Sequence, residues 1–154
     1  MADSVRHQIM DAVIAALNGI TTASGYQTDV ALVSEQVMSY DQIPPKHLPA
    51  LFPIDTNEDR QWFALAEQSE NDIQAELDIL ITAVVYDKQN VTRLKRTNLL
   101  RDVEKALLND ADLKALILYA EPQRVETDEG NIPDFSIFDY TIRITYTYDS
   151  ANGG

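Results

Sequence analysis

Three observations predict an α+β fold: a mixed, largely antiparallel sheet with two main helices packed on it in an α/β-type sandwich. Two segments, near residues 4–20 and 91–109, repeat apolar residues at helical spacing. Two others, within 76–86 and 138–148, alternate at period two. Between the first helix and the first long strand, four of the six prolines fall at positions 44, 45, 49 and 53 and bar a helix there.

The first helix begins at an N-cap, Asp3 or Ser4, and places Val5, Ile9, Ala12, Val13, Ala16, Leu17 and Ile20 on one face, with Asn18-Gly19 as a stop. Met10 and Ile14 widen that face beyond what one sheet requires. Such a helix is either deeply buried or also touches another subunit. Ser24-Gly25-Tyr26 reads as a turn and Thr28–Val33 as a short strand. Leu48–Asp55 suits an edge strand, where a missing proline donor is tolerated. Residues 56–73 are polar around Trp62, Phe63 and Leu65, which predicts a surface loop with a hydrophobic anchor.

From Glu76 to Tyr86 every odd position is apolar, and the even ones turn apolar toward the end. This predicts a central strand covered on both faces in its second half. The second helix, 91–109, buries Leu99, Leu100, Val103, Ala106 and Leu107. Its N-cap is Asn90 or Thr97, a choice that decides whether Arg93 and Arg96 are helical. Residues 114–126 read as a strand interrupted by Pro122, and 127–133 as a turn cluster. The last strand alternates Phe138, Tyr140, Ile142, Ile144, Tyr146 and Tyr148 with polar residues. Residues 1–150 are expected to form one domain, followed by a flexible tail at 151–154.

The composition suits one globular domain: 154 residues, 45% hydrophobic and 24% charged. Without cysteine there is no disulfide framework, thiolate zinc site or cysteine nucleophile. No apolar run is long enough for a signal h-region or a membrane span, so a soluble protein made inside the cell and free of membrane contact is expected. A net charge of −13 opposes attraction to phosphate backbones.

Chemistry is sparse in this sequence. His7 and His47 lack the spacing for a shared metal ion. Asp55, Glu58 and Asp59 come without a calcium-loop pattern and read as structural or solvated carboxylates. No GxSxG elbow or glycine-rich phosphate loop occurs. A non-enzymatic protein with no metal and no cofactor is expected. The aromatic last strand carries only Arg143 as a cation, too little for a base-stacking platform.

Charge placement is the anomaly. Residues 88–105 hold six of the twelve basic residues, Lys88, Arg93, Lys95, Arg96, Arg101 and Lys105, against two acidic ones. Cations in a helix's first turn oppose its macrodipole, so something acidic should compensate. Acids of the same chain, an acidic neighbouring subunit and, third, DNA contact are the three readings. Arg93, Arg96, Arg101 and Lys105 are therefore candidates for a subunit or partner contact, with Met10 and Ile14 second.

The chain also resembles the tail terminator proteins of long-tailed bacteriophages, the group that includes the minor tail protein U type. The resemblance runs from Val5-Arg6-His7-Gln8-Ile9 through Leu17-Asn18-Gly19-Ile20 and Gly25-Tyr26 to Leu48-Pro49-Ala50-Leu51-Phe52-Pro53-Ile54-Asp55. It continues in Val84-Val85-Tyr86-Asp87, Asn98–Leu107 and the aromatic strand, so its specificity lies in their order. It implies a virion structural protein that caps the tail tube as a hexameric ring, stops polymerisation and presents a head-joining surface. Its implied partners are further copies of itself, the tail tube protein and the head–tail connector or neck protein, with DNA only passing through the bore. The implied location is the head-proximal end of the tail, reached by assembly in the host cytoplasm. The resemblance carries no catalytic residue. Two other readings are another phage neck or head–tail joining protein, and a small hydrolase or isomerase using His47 and Asp55.

Overall fold

Along the chain follow helix α1 (Val5–Asn18), strands β1 (Leu32–Val33), β2 (Ala50–Trp62) and β3 (Asp72–Tyr86), helices α2 (Thr92–Asn109) and α3 (Ala111–Leu116), and strands β4 (Tyr119–Thr127) and β5 (Phe135–Asp149). The computed structural model describes residues 3–62, 72–87, 92–128 and 132–151. The five strands form one sheet in the order β1-β2-β3-β5-β4. β1 is parallel to β2 and every other pair is antiparallel, so the sheet is mixed, as the patterning predicts.

The two long strands carry the core. In register, Leu77 faces Ile144, Ile79 faces Ile142, Ile81 faces Tyr140 and Ala83 faces Phe138. Paired residues share a face, and all eight are buried with Ile9, Val13 and Leu17 of α1, Leu99, Val103 and Leu107 of α2, and Leu113 of α3. Removing that apolar area from water is the main stabilising term. The wide apolar arc of α1 is used inside the chain, because α1 packs on α2 and α3 as well as on β1 and β2. Ser4 caps it by accepting from the His7 amide at 3.2 Å, and the Gly19 amide reaches the Ala15 and Ala16 carbonyls at its end.

Among the described residues the opposite face is covered at one end. There Ile43, Leu32, Met38, Tyr40 and Leu48 pack over Ala50, Phe52 and Val84. This is the double coverage predicted for the second half of β3. At the far end the same face is polar, with Gln74, Glu76, Asp78, Arg143 and Thr147 partly open to solvent.

Four local expectations change. The strand expected at 28–33 shrinks to Leu32–Val33, because the Asp29 carboxylate turns back to accept from the Thr22 amide at 2.7 Å and holds its segment in a loop. The loop expected at 56–73 is instead strand as far as Trp62 and again from Asp72. Its polar residues pair with β3 beyond a bulge between Asp55 and Glu58. Phe63 and Leu65 lie outside the described residues. The strand expected from 114 starts at Tyr119, since Asp110 caps α3 by accepting from the Leu113 amide at 2.9 Å. Helix α2 is already formed at Thr92, so Arg93 and Arg96 are both helical. Asn90, like the end of the tail at 152–154, lies outside the described residues.

Both prolines inside strands sit where a donor is dispensable. Pro53 lies past Ala50 and Leu51, the residues that pair with β1, and Pro122 sits on edge strand β4 beside a register shift. Before β5 the chain turns through Asp134, whose φ of 65° is a left-handed conformation that aspartate tolerates better than most residues.

Candidate functional site

Helix α2 has no acidic residue in its first turn, so its N-terminal cations need partners elsewhere. Two of them, and Lys105 farther along the helix, find partners within the chain. Lys95 pairs with buried Asp87 at 3.0 Å. Arg96 donates to the Ser136 hydroxyl at 3.0 Å. Lys105 lies over the Tyr26 ring at 5.1 Å and reaches the Gly25 carbonyl at 3.4 Å. Arg93 and Arg101 are exposed and make no ion pair or side-chain hydrogen bond among the described residues. Same-chain compensation is thus real but partial. Lys88 lies outside the described residues.

Around Arg101 the outer side of α2 forms a shallow surface of about 430 Å³, with Thr97, Leu100, Glu104, Lys105 and Leu108. It adjoins, through Leu108, a second cavity of about 350 Å³ lined by Leu107, Ile117, Leu118, Tyr119 and Lys114. Leu94, at the N-terminal end of the helix, is 61% exposed. The basic helix therefore carries exposed apolar side chains beside its cations. Met10 is 6% exposed and its side chain is committed to the chain's own core, while Ile14 is half-buried on α1. Burial withdraws Met10 from any contact surface of the folded chain.

The far end of the sheet has the opposite sign. Asp59 stands in register with Glu76, and Asp72 with Asp149. Arg143 offsets part of this charge through Asp78 at 2.9 Å and Glu76 at 3.9 Å. The Asp78 hydrogen bond raises the Arg143 pKa, keeping the guanidinium charged. Trp62, in register with Ile73 and thus on the helix side of the sheet, is 62% exposed at this end. The residue expected to anchor a loop into the core instead presents its ring to solvent.

The carboxylates of the β2 bulge are matched by arginines. Arg6 donates to Asp55 at 2.6 and 2.9 Å and reaches Glu58 at 3.5 Å. The Glu58 side chain is 4% exposed and also accepts from Arg60 and from the Tyr146 hydroxyl. Its hydrogen bond holds the Arg60 pKa above the ordinary guanidinium value. Burial first, and the Glu58 contact second, push the Tyr146 phenol well above its usual range. This network pins α1 onto the bulge; its members are far apart in sequence, and only the mixture of charges in Asp55–Arg60 hints at it.

His7 pairs with Asp11 at 3.4 Å, one helical turn away. His47 sits in a short turn, Pro45–His47, and makes no hydrogen bond or ion pair with Asp55, which Arg6 engages. The arrangement does not unite the two residues of the hydrolase reading. Among the described residues no group of three or more His, Cys, Asp or Glu could hold a metal ion. Among the same residues, no helix is long and apolar enough to cross a membrane.

No protein-family model and no curated protein matches the chain. Among solved structures, it is similar to a chain of the virion of a native gene transfer agent (GTA) particle. The two are 20% identical, with a TM-score of 0.48, over 94% of this chain and 92% of the other.

Proposed function

We propose that the protein is a virion structural protein of the tail terminator type. It works as a homo-hexameric ring that caps the tail tube, stops its polymerisation and offers a surface to the head–tail connector. The observation that carries this reading is the division of charge on one subunit. Exposed cations Arg93 and Arg101 stand on α2 without partners among the described residues, and the far end of the sheet is rich in carboxylates. Opposite patches at different places on one surface suit head-to-tail contact between identical subunits, the contact that closes rings. The ordered resemblance of the sequence to tail terminators supports the same reading.

In this reading Arg93, Arg96, Arg101 and Lys105 form the basic side of a subunit or tail contact, with Ile14 a secondary apolar contributor. The net charge of −13 per subunit lets DNA pass a bore without adhering, because like charge suppresses binding. Catalysis and cofactors have no part in this function, and the ring belongs at the head-proximal end of the tail.

Light scattering of the 17.3 kDa chain at low and moderate salt is the test. A mass near six subunits that falls as salt rises is expected. A chain that stays monomeric and fails to join added tail tubes would overturn the reading. A chain that binds DNA-filled heads but not tails would place it with the other neck proteins.

A further inference from the structure

Trp62 and the cavity beside Leu118 lie at the same end of the sheet, on opposite edges. The cross-strand ladder runs from Trp62 through Ile73 to Tyr148, and the start of β4, Tyr119, pairs with Thr145. The offset along the strands is three residues, about 10 Å. Three strand spacings of about 4.8 Å separate β2 from β4. Both features are on the helix side, since Trp62 shares the face of Ile73, and the cavity lies between α2, α3 and Ala120. A cyclic ring carries each subunit to the next by rotation alone, so contacting patches must lie at nearly one height along its axis. These two do.

We infer that the exposed indole of Trp62 seats in the apolar cavity of a second copy of this chain, formed by Leu107, Leu108, Ile117, Leu118 and Tyr119. The inference rests on the ring reading above and names the surfaces that join its subunits. Leu118 is 53% and Tyr119 48% exposed beside the cavity of about 350 Å³. The two ends differ in charge. Asp59, Asp72 and Asp149 lie at the Trp62 tip on the other face of the sheet, and Arg60, on the face of Trp62, is paired with Glu58, while Lys114 is exposed at the cavity and Arg101 and Lys105 flank the adjoining surface. Strand-to-strand pairing of the edges is discouraged on β4 by Pro122, the register shift and the charges of Glu121, Arg124 and Glu126. Side-chain docking meets no such obstacle. Tryptophan in a desolvated pocket is a common anchor of protein interfaces.

Trp62 is the only tryptophan of the chain, so its fluorescence reports this contact directly. Light-scattering mass is followed across a dilution series for the native chain, Leu118→Asp and Trp62→Ala, and emission and acrylamide quenching for the native chain and Leu118→Asp, with circular dichroism confirming that each variant folds. The expected result is a blue shift and loss of quenching that track the rise in mass, with no rise in either variant. A multi-subunit mass with an unshifted indole, or full assembly of Leu118→Asp, overturns this contact and leaves the ring reading intact. If the chain assembles only on added tail tubes, both variants are expected to lose tail joining, and joining by either overturns the contact. Failure of the native chain to assemble or to join tails overturns the ring reading itself, and this inference with it.

Discussion

The Tyr146 hydroxyl of β5 donates to the Glu58 carboxylate of β2, reaching across β3 to a group that Arg6 and Arg60 also contact. Glu58 is buried, so it depends on these partners for what water would otherwise supply. Removing one member of a buried charged cluster leaves the others unpaired, at about 3–5 kcal/mol when all are buried. Arg6 and Arg60 are 29% and 44% exposed, which lets water relieve part of that cost. Glu58→Ala is expected to lose about 2–3 kcal/mol in urea unfolding, with Glu58→Gln in between. A loss below about 0.5 kcal/mol, the range of ordinary surface substitutions, would show that the network does not hold α1 to the bulge.

Two buried tyrosines on one strand are expected to respond oppositely to loss of their hydroxyls. Tyr140 is 1% exposed and its hydroxyl has no hydrogen-bond partner among the described residues, whereas that of Tyr146 has Glu58. Tyr140→Phe is therefore expected to be neutral or to stabilise by about 1 kcal/mol, and Tyr146→Phe to destabilise by a similar amount. Burial, with the Glu104 charge second, pushes the Tyr140 phenol above its ordinary value, as burial and Glu58 do for Tyr146. A raised folded pKa means that the unfolded chain loses its phenol protons first. The contribution is fully present below about pH 10, the unfolded value, and is lost as pH rises from there toward the folded one. Thermal melts at pH 8 to 11 are expected to show falling stability above about pH 10, with a shallower fall in either phenylalanine variant. Equal slopes in all three proteins would refute this.

What could be read from the sequence followed the strength of one-dimensional patterns. β5, β3, α1 and α2 each bury one regular face, and their periodicity locates them to within a few residues. The outer half of β2 has no such pattern, because Thr56–Trp62 is mostly solvent-exposed and holds its place by pairing with β3. α3 spans only six residues, too few for helical periodicity to separate it from the strand that follows. The basic stretch was legible as a charge anomaly, but not the pairing of Lys95 with Asp87 or Arg96 with Ser136. Those contacts depend on where α2 lands against the β3 end and β5. Trp62 in a polar run reads as an anchor, and only its register at the sheet's end exposes it.

Asp102 is the buried acid of the basic helix. It is 2% exposed and accepts from the Gln27 amide at 3.0 and 3.2 Å, tying the segment after Gly25 to α2. Gly25 itself adopts a φ of 92°, so the turn it makes aims the Gln27 amide at the helix. Asp102→Ala strips the amide of this acceptor and is expected to cost about 1–3 kcal/mol. Hydrogen exchange at Gln27 is expected to rise more than at residues of β3. Uniform acceleration across the sheet would instead mean global destabilisation with no local tie.

Charge reversal on α2 separates assembly from folding. Arg93 and Arg101 have no ion-pair partner among the described residues, so Arg93→Glu with Arg101→Glu is expected to alter stability by no more than about 0.5 kcal/mol. If these cations meet the acidic sheet end of a neighbour, the same double change places like charges together and should abolish the multi-subunit mass and tail joining. Lys95→Glu is the control: its partner Asp87 belongs to the same chain and is buried, so the reversal is expected to weaken the fold by about 1–3 kcal/mol while assembly persists. Light scattering in rising salt adds a second readout. An interface held partly by exposed charge should loosen in the native chain as screening shortens its reach, and salt should partly rescue the reversed variant by weakening the new repulsion. Unchanged assembly of the double variant at every salt concentration would remove α2 from the subunit contact, whatever the ring's stoichiometry.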